Sequence, residues 1–429
     1  MFILNIYFIL NEMQKVFFPF LLCCVFFSCS KQAVEPTASI TTPSTPVVKN
    51  PDPVIKNPDP VFKNYFQTSY YLKKSDVWPD FYKIASSNGI NIQNLFYDCP
   101  QVLADFNGDG YDDLLMAPGV YPNEDKRRPL ELYINDKTNN KFTLDNSLLK
   151  VNLGTNNARK GVVGDFNKDG KPDVVYSESG VDSPPFNGAE QSILLSSPEG
   201  YIQKIFPNSK FFSHGVCSGD FDNDGDLDLF FISLTSPTDM FYINDGKGNF
   251  TLNNSIIDIK SNGLAASEFY DINKDGFLDL ILGGANFTSD PTLTPARILL
   301  GNGKDFTDKR SILIPSLFSW DNNLDFCFED LDNDKVEEII ILKTQDPNTK
   351  AYEGYRVQIL KSVNGKYEDI TNKIMTSFYS ETIKWIVWLR IEDIDKNGKL
   401  DIFDSDKGHY NTGQSIRWEQ DVDGIFKKK

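Results

Sequence analysis

The sequence predicts an all-β fold, a β-propeller of four-stranded blades with a short helical segment ahead of it. Three observations predict it. An acidic nine-residue frame recurs six times, its first aspartates 60, 55, 51, 59 and 63 residues apart, a period that marks a repeat array. An apolar run of strand character follows each copy. A short hairpin then closes the unit, giving four strands per repeat, the composition of a propeller blade. Six repeats are recognised, and a seventh blade without the frame stays open.

At the amino end, residues 1–28 carry only Glu12 and Lys15 as charged groups. Lys15 leads into the apolar run Val16–Phe27, too short to span a bilayer core of about 30 Å comfortably. Small residues follow at Ser28, Cys29 and Ser30, completing the pattern of a secretion signal. Phe26-Phe27-Ser28-Cys29 resembles a bacterial lipobox, although Phe stands where Leu and then a smaller residue are usual. The resemblance implies lipidation of Cys29, with 1–28 as the signal peptide and the protein anchored in the bacterial cell envelope at the outer-membrane surface. An ordinary cleaved signal and an uncleaved anchor are the competing readings. Translation from Met13 instead of Met1 also stays open.

Residues 29–63 are rich in Pro, Thr and Val and repeat Lys49-Asn-Pro-Asp-Pro-Val as Lys56-Asn-Pro-Asp-Pro-Val. Such a segment cannot bury a core and favours extended polyproline backbone, so it reads as a disordered linker of up to roughly 100 Å, with or without a spacer role. Residues 64–97 lack the acidic frame. Ser75 as cap, Pro79 in the first turn and Gly89 past the end predict a short helix over 77–87.

The repeats occupy 98–429. Their clearest copy is Asp220-Phe-Asp222-Asn-Asp224-Gly225-Asp226-Leu-Asp228, running directly into Leu-Phe-Phe-Ile. Side-chain oxygens at positions 1, 3 and 5 converge as the chain curls, and glycine at position 6 permits the sharp turn. The backbone carbonyl at position 7 and the carboxylate at position 9 close an all-oxygen shell suited to Ca²⁺, which takes roughly 6 to 8 oxygens. In this copy the candidate ligands are Asp220, Asp222, Asp224, Asp226 and Asp228. The first two copies offer Asp105, Asn107, Asp109, Tyr111 and Asp113, then Asp165, Asn167, Asp169, Lys171 and Asp173. The fourth offers Asp271, Asn273, Asp275, Phe277 and Asp279. The last two offer Asp330, Asp332, Asp334, Val336 and Glu338, then Asp393, Asp395, Asn397, Lys399 and Asp401. Up to six Ca²⁺ follow. Two copies depart from the frame: Lys335 replaces the glycine of the fifth, and Asn397 the third acidic group of the sixth.

An EF-hand shares the opening of this frame but needs Glu at position 12 and flanking helices. Position 12 is Met116, Tyr176, Phe231, Leu282, Ile341 and Asp404, and the following segments are β-like, so that reading fails. A plain Asp-Gly hairpin turn would account for one copy. It does not account for six that keep carboxylate or amide at positions 1, 3, 5 and 9.

Within the third copy, strands are predicted at Gly215–Phe221, Leu227–Ser233, Met240–Asn244 and Asn249–Leu252. Closing hairpins recur at Leu132/Lys141, Ile298/Asp305, Val357/Gly365 and Ile416/Gly424. Loop, strand and hairpin together resemble the FG-GAP/VCBS repeat of integrin α-subunit propellers and bacterial surface proteins. The resemblance covers roughly 98–428 and implies Ca²⁺ in the loop between the first two strands of each blade. Six copies fall one short of the seven-bladed integrin form.

The formal charge is −17, which makes nucleic acid an unsuitable partner, and six Ca²⁺ would reduce it to −5. Only two histidines occur, His214 and His409, and no Gly-x-Ser-x-Gly, His-Glu-x-x-His or phosphate-binding glycine loop is found. No catalytic constellation is recognisable. Cys99, Cys217 and Cys327 read as small buried hydrophobes. The favoured function is a calcium-stabilised binding module at the cell surface, for adhesion or for capture of a glycan or protein. A polysaccharide-degrading enzyme and an envelope assembly factor are the alternatives.

Chain length outside the acidic loops is spent on second-to-third-strand connectors, at Ala117–Pro129, Ser177–Gln191, Gly283–Ala296 and Thr344–Tyr355. These belong on the face opposite the acidic loops, where repeat arrays usually build a binding surface. Tyr97, Arg159, Lys160, His214, Trp320, Lys384 and Trp385 begin blades on that face and are candidates for stacking on sugars or gripping acidic groups, although the tryptophans also suit filling between blades.

Overall fold

The computed structural model describes residues 101–429 apart from 119–124, 136, 138–141, 234–239, 260–262, 285–294, 317–321, 345–353, 381–388 and 405–415. The expected signal, linker and 77–87 helix fall outside these residues, as does any seventh blade before residue 101. The described chain is a β-propeller with six blades.

The first blade is an antiparallel meander of β1 (Gln101–Ala104), β2 (Asp113–Met116), β3 (Glu131–Asn135) and β4 (Phe142–Leu144). A short β5 (Leu149–Val151) then crosses to the second blade, β6 (Ala158–Gly164), β7 (Asp173–Glu178), β8 (Ala189–Ser197) and β9 (Gly200–Phe211), pairing parallel with β9. The third blade holds β10 (Ser213–Gly219), β11 (Asp228–Ser233), β12 (Met240–Asn244) and β13 (Phe250–Leu252). These follow the predicted strands closely.

The fourth blade departs from expectation. After β14 (Ile257–Asp258) come β15 (Leu264–Tyr270), β16 (Asp279–Gly284), β17 (Arg297–Leu299), β18 (Phe306–Thr307) and β19 (Ser311–Leu313). The sequence pairs Asp305–Thr307 with Ile298; instead β19 takes the outer edge of the blade, and β18 pairs parallel with β14. The reason is packing. Phe306 is 1% exposed and sits among Phe221, Phe241 and Phe269, so burying its ring draws the segment toward the third blade.

The fifth blade contains β20 (Asn322–Glu329), β21 (Glu338–Thr344), β22 (Tyr355–Val363) and β23 (Lys366–Asp369), with β24 (Tyr379–Ser380) added beside the start of β22. A single helical turn, Thr371–Ile374, precedes β24. The sixth blade is β25 (Leu389–Glu392), β26 (Asp401–Asp404), β27 (Arg417–Gln420) and β28 (Phe426–Lys428).

Five apolar clusters hold successive blades together. The second strands explain this: β7, β11, β16 and β21 are buried along their whole length, so both faces of each sheet bury apolar side chains against a neighbour. Position 2 of the acidic frame contributes too. Phe106, Phe166, Phe221 and Leu331 are each at most 4% exposed and belong to these clusters, which ties every such loop to an interface. Cys217 and Cys327 are buried in the innermost strands, as the sequence indicates; Cys99 lies outside the described residues.

Candidate metal centres

Each acidic loop joins the first and second strands of its blade, and all six share one backbone frame. Position 4 is left-handed throughout, at Gly108, Lys168, Asn223, Lys274, Asn333 and Lys396, with φ between 60° and 75°. Position 6 is left-handed as well, which glycine adopts without cost and Lys335, at φ 73°, does not. The sequence reveals the requirement at position 6 but not the one at position 4, where three of the six residues are lysines.

The side chains then organise the loop's amides. The position 1 carboxylate accepts the N–H of position 6 in every loop, at 2.7–2.9 Å. The position 5 side chain accepts the N–H of position 7, borne by Tyr111, Lys171, Asp226, Phe277, Val336 and Lys399. Position 9 fastens the loop to the blade. In every loop but the third, one oxygen accepts the N–H of position 2, as in Phe106 to Asp113 and Phe166 to Asp173, while the other oxygen accepts a donor from the third-strand side. In every blade but the fifth that donor is a backbone amide, of Asn135, Ser196, Asn244 and Gln420 in the third strands and of Gly301 just past β17.

The third loop is the most open to a cation. Asp220 Oδ1 and Asp228 Oδ2 are buried carboxylate oxygens with no hydrogen-bond donor. Carboxylate oxygens of Asp220, Asp222 and Asp224 all lie within 4.8 Å of one another. Burial pushes Asp220 up to about 6 and Asp228 up to about 8, because the charged forms lose water and face like charges nearby. A hard divalent cation would relieve both penalties, and an all-oxygen donor set fits one. Asp330, Asp332 and Glu338 converge in the same way, as do Asp393, Asp395 and Asp401.

The FG-GAP-like repeat family matches residues 105–176 and 206–282, which contain the first four loops. These two stretches carry FG-GAP-like repeats. The fifth and sixth loops, outside the matched stretches, keep the same position 1 and position 5 hydrogen bonds as the FG-GAP-like repeats before them. No curated protein matches the chain. Among solved structures, it is similar to an exo-β-1,3-galactanase from Phanerochaete chrysosporium, at 13% identity and TM-score 0.38 over 75% of this chain and 76% of that one. A further structure of that galactanase is matched over 63% of this chain and 61% of its own length. The V. cholerae biofilm matrix protein Bap1 is similar at 12% identity and TM-score 0.39, over 69% of this chain and 42% of that one.

Of the proposed ligand-facing residues, Arg159, Lys160 and His214 are placed differently from the sequence reading. Tyr97, Trp320, Lys384 and Trp385 lie outside the described residues. Arg159, Lys160 and His214 are only 1%, 3% and 1% exposed, so they do not form an exposed cationic edge. Arg159 donates to Ser179 and Asp182, Lys160 pairs with Glu268, and the His214 ring packs on Phe212. Burial holds His214 well below the usual imidazole range, with Arg159 nearby adding to the effect. The physical reason is that β6 and β10 are innermost strands with neighbours on both sides, so their charges are absorbed inside the protein.

Sequence reasoning missed a polar network at the connector end of the second blade. Arg127 donates to Glu178, Gly154 O and Glu190 O, and Asn156 donates to Asp125. Arg127 and Glu178 carry no local motif; only the fold brings them together.

Proposed function

We propose that the protein is a calcium-stabilised propeller that works as a binding module at the bacterial cell surface, capturing a glycan or a protein. The observation that carries the calcium reading is the third loop, whose Asp220 Oδ1 and Asp228 Oδ2 are buried without a donor. Calcium would be held by side chains at positions 1, 3, 5 and 9, supplying charge neutralisation where the frame gathers carboxylates. The chain's own residues orient those carboxylates through the position 6, position 7 and third-strand amides.

Binding is assigned to the face opposite the acidic loops. The 179–188 connector of the second blade lies there, fastened by Arg159 to Asp182, and the exposed Tyr379 lies beside the start of β22. A fixed rim of variable connectors on a rigid array is suited to recognition. Cys29 supplies the lipid anchor in this reading, and residues 29–63 the spacer.

A glycan panel tests the reading. Trp320→Ala with Trp385→Ala should weaken capture while leaving calcium-dependent stability intact, and Cys29→Ala should release the protein from the membrane fraction. Loss of capture only when the acidic loops are disrupted, or release of sugars from the panel, would overturn it.

A further inference from the structure

In the fifth blade a lysine occupies the centre of the acidic loop. Lys361 Nζ lies 2.5 Å from Asp332 Oδ2, 2.6 Å from Asp334 Oδ2 and 3.1 Å from Glu338 Oε1. These are frame positions 3, 5 and 9, three of the four side chains that would ligate an ion. By contrast, Lys137 pairs with Asp109 and Lys168 with Asp226.

The register shows that this lysine is specific to the fifth blade. Lys361 follows Leu360, the partner of Ile339. The corresponding third-strand residues elsewhere are Ile134, Leu195, Ile243, Leu300 and Glu419. Aliphatic groups at four of these positions pack between blades and cannot reach the loop as an ammonium does. The substitution coincides with two others in the same loop, Lys335 for glycine at position 6 and Glu338 for aspartate at position 9. Glu338 also bonds differently. Its Oε2 accepts from Leu331 N, but its Oε1 takes Lys361 Nζ where the other five blades use a third-strand backbone amide.

We propose that the fifth acidic loop is not a calcium site: Lys361 closes it as an internal ammonium, so the array takes at most five calcium ions. An ammonium and a divalent ion cannot occupy the same three carboxylates, since both need the same oxygens and repel each other at that separation. The stoichiometric part rests on the calcium reading of the other loops.

Hydrogen exchange and calcium titration of the full chain test it. In the wild type, exchange across 330–338 is expected to be the same in calcium and in EDTA, while 220–228 becomes protected by calcium. Asp334→Asn should leave the number of bound calcium ions unchanged, and Lys361→Leu should speed exchange across 330–338 in EDTA by at least tenfold. Protection of 330–338 by calcium in the wild type, loss of one ion in Asp334→Asn, or unchanged exchange in Lys361→Leu would each overturn the proposal. If no loop responds to calcium, the calcium reading of the array fails, and the Lys361→Leu exchange in EDTA still decides whether the ammonium closes the fifth loop. Should Lys361→Leu not fold, the wild type and Asp334→Asn carry the decision.

Discussion

Lys160 Nζ donates to Glu268 Oε1 at 2.7 Å, joining the innermost strand of the second blade to that of the fourth, past the third. Both side chains are at most 5% exposed, so the pair stands in part for what water would otherwise supply. Removing one partner takes from a buried charge its counter-charge at 2.7 Å, at a cost of about 3–5 kcal/mol. Glu268→Ala and Lys160→Ala should each lower the denaturant midpoint accordingly. The pair Lys160→Met with Glu268→Leu should recover most of the loss. Single variants within about 1 kcal/mol of wild type in urea melts would contradict this account.

Calcium removal should lower the melting temperature. Binding to the folded state alone stabilises it by about 2.7 kcal/mol per site at a hundredfold excess over Kd. Because the third loop has two buried carboxylate oxygens without donors, Asp228→Asn should reduce the calcium-induced shift more than Asp334→Asn does. Calorimetric melts of metal-stripped protein, with and without calcium, provide the measurement.

The metal-free protein should lose stability as pH rises. Burial pushes Asp113 and Asp220 up to about 6, Asp173 and Asp279 to about 7 and Asp228 to about 8. In the unfolded chain such groups titrate near pH ~4, so between about pH 4 and 8 the folded state holds more protons than the unfolded one. Stability is then greatest at the acidic end of that window and falls through it. Calcium needs the ionised carboxylates, so its stabilising effect should grow over the same range. In EDTA the melting temperature should be lower at pH 8 than at pH 5, and a rise would refute the assignment.

Lys335→Gly should stabilise the protein. Lys335 holds a left-handed φ of 73° at a position where the other five loops have glycine. Relieving that strain gains about 1 kcal/mol, partly offset by glycine's greater freedom in the unfolded chain. A melting temperature at or below wild type would show that Lys335 contributes something its backbone cost hides.

The sequence by itself determined the repeat, the six acidic frames and the strands of the third blade almost to the residue. Those features are local: ligand spacing, a glycine where the turn needs positive φ, and an apolar run behind it. Tertiary structure decided what depended on register and on residues far apart in sequence. The Phe306 segment left its own hairpin because its ring packs with Phe221, Phe241 and Phe269 of the adjoining interface. Lys160 and Glu268, 108 residues apart, met only because innermost strands converge. Arg159, Lys160 and His214 begin blades in the sequence as candidates for a surface, yet strands flanked on both sides bury what they carry. Lys361 lies 23 residues beyond Glu338 with nothing local to connect them. Antiparallel register sets it against the loop, and that placement puts an ammonium in a frame whose sequence alone reads as the fifth of six calcium sites.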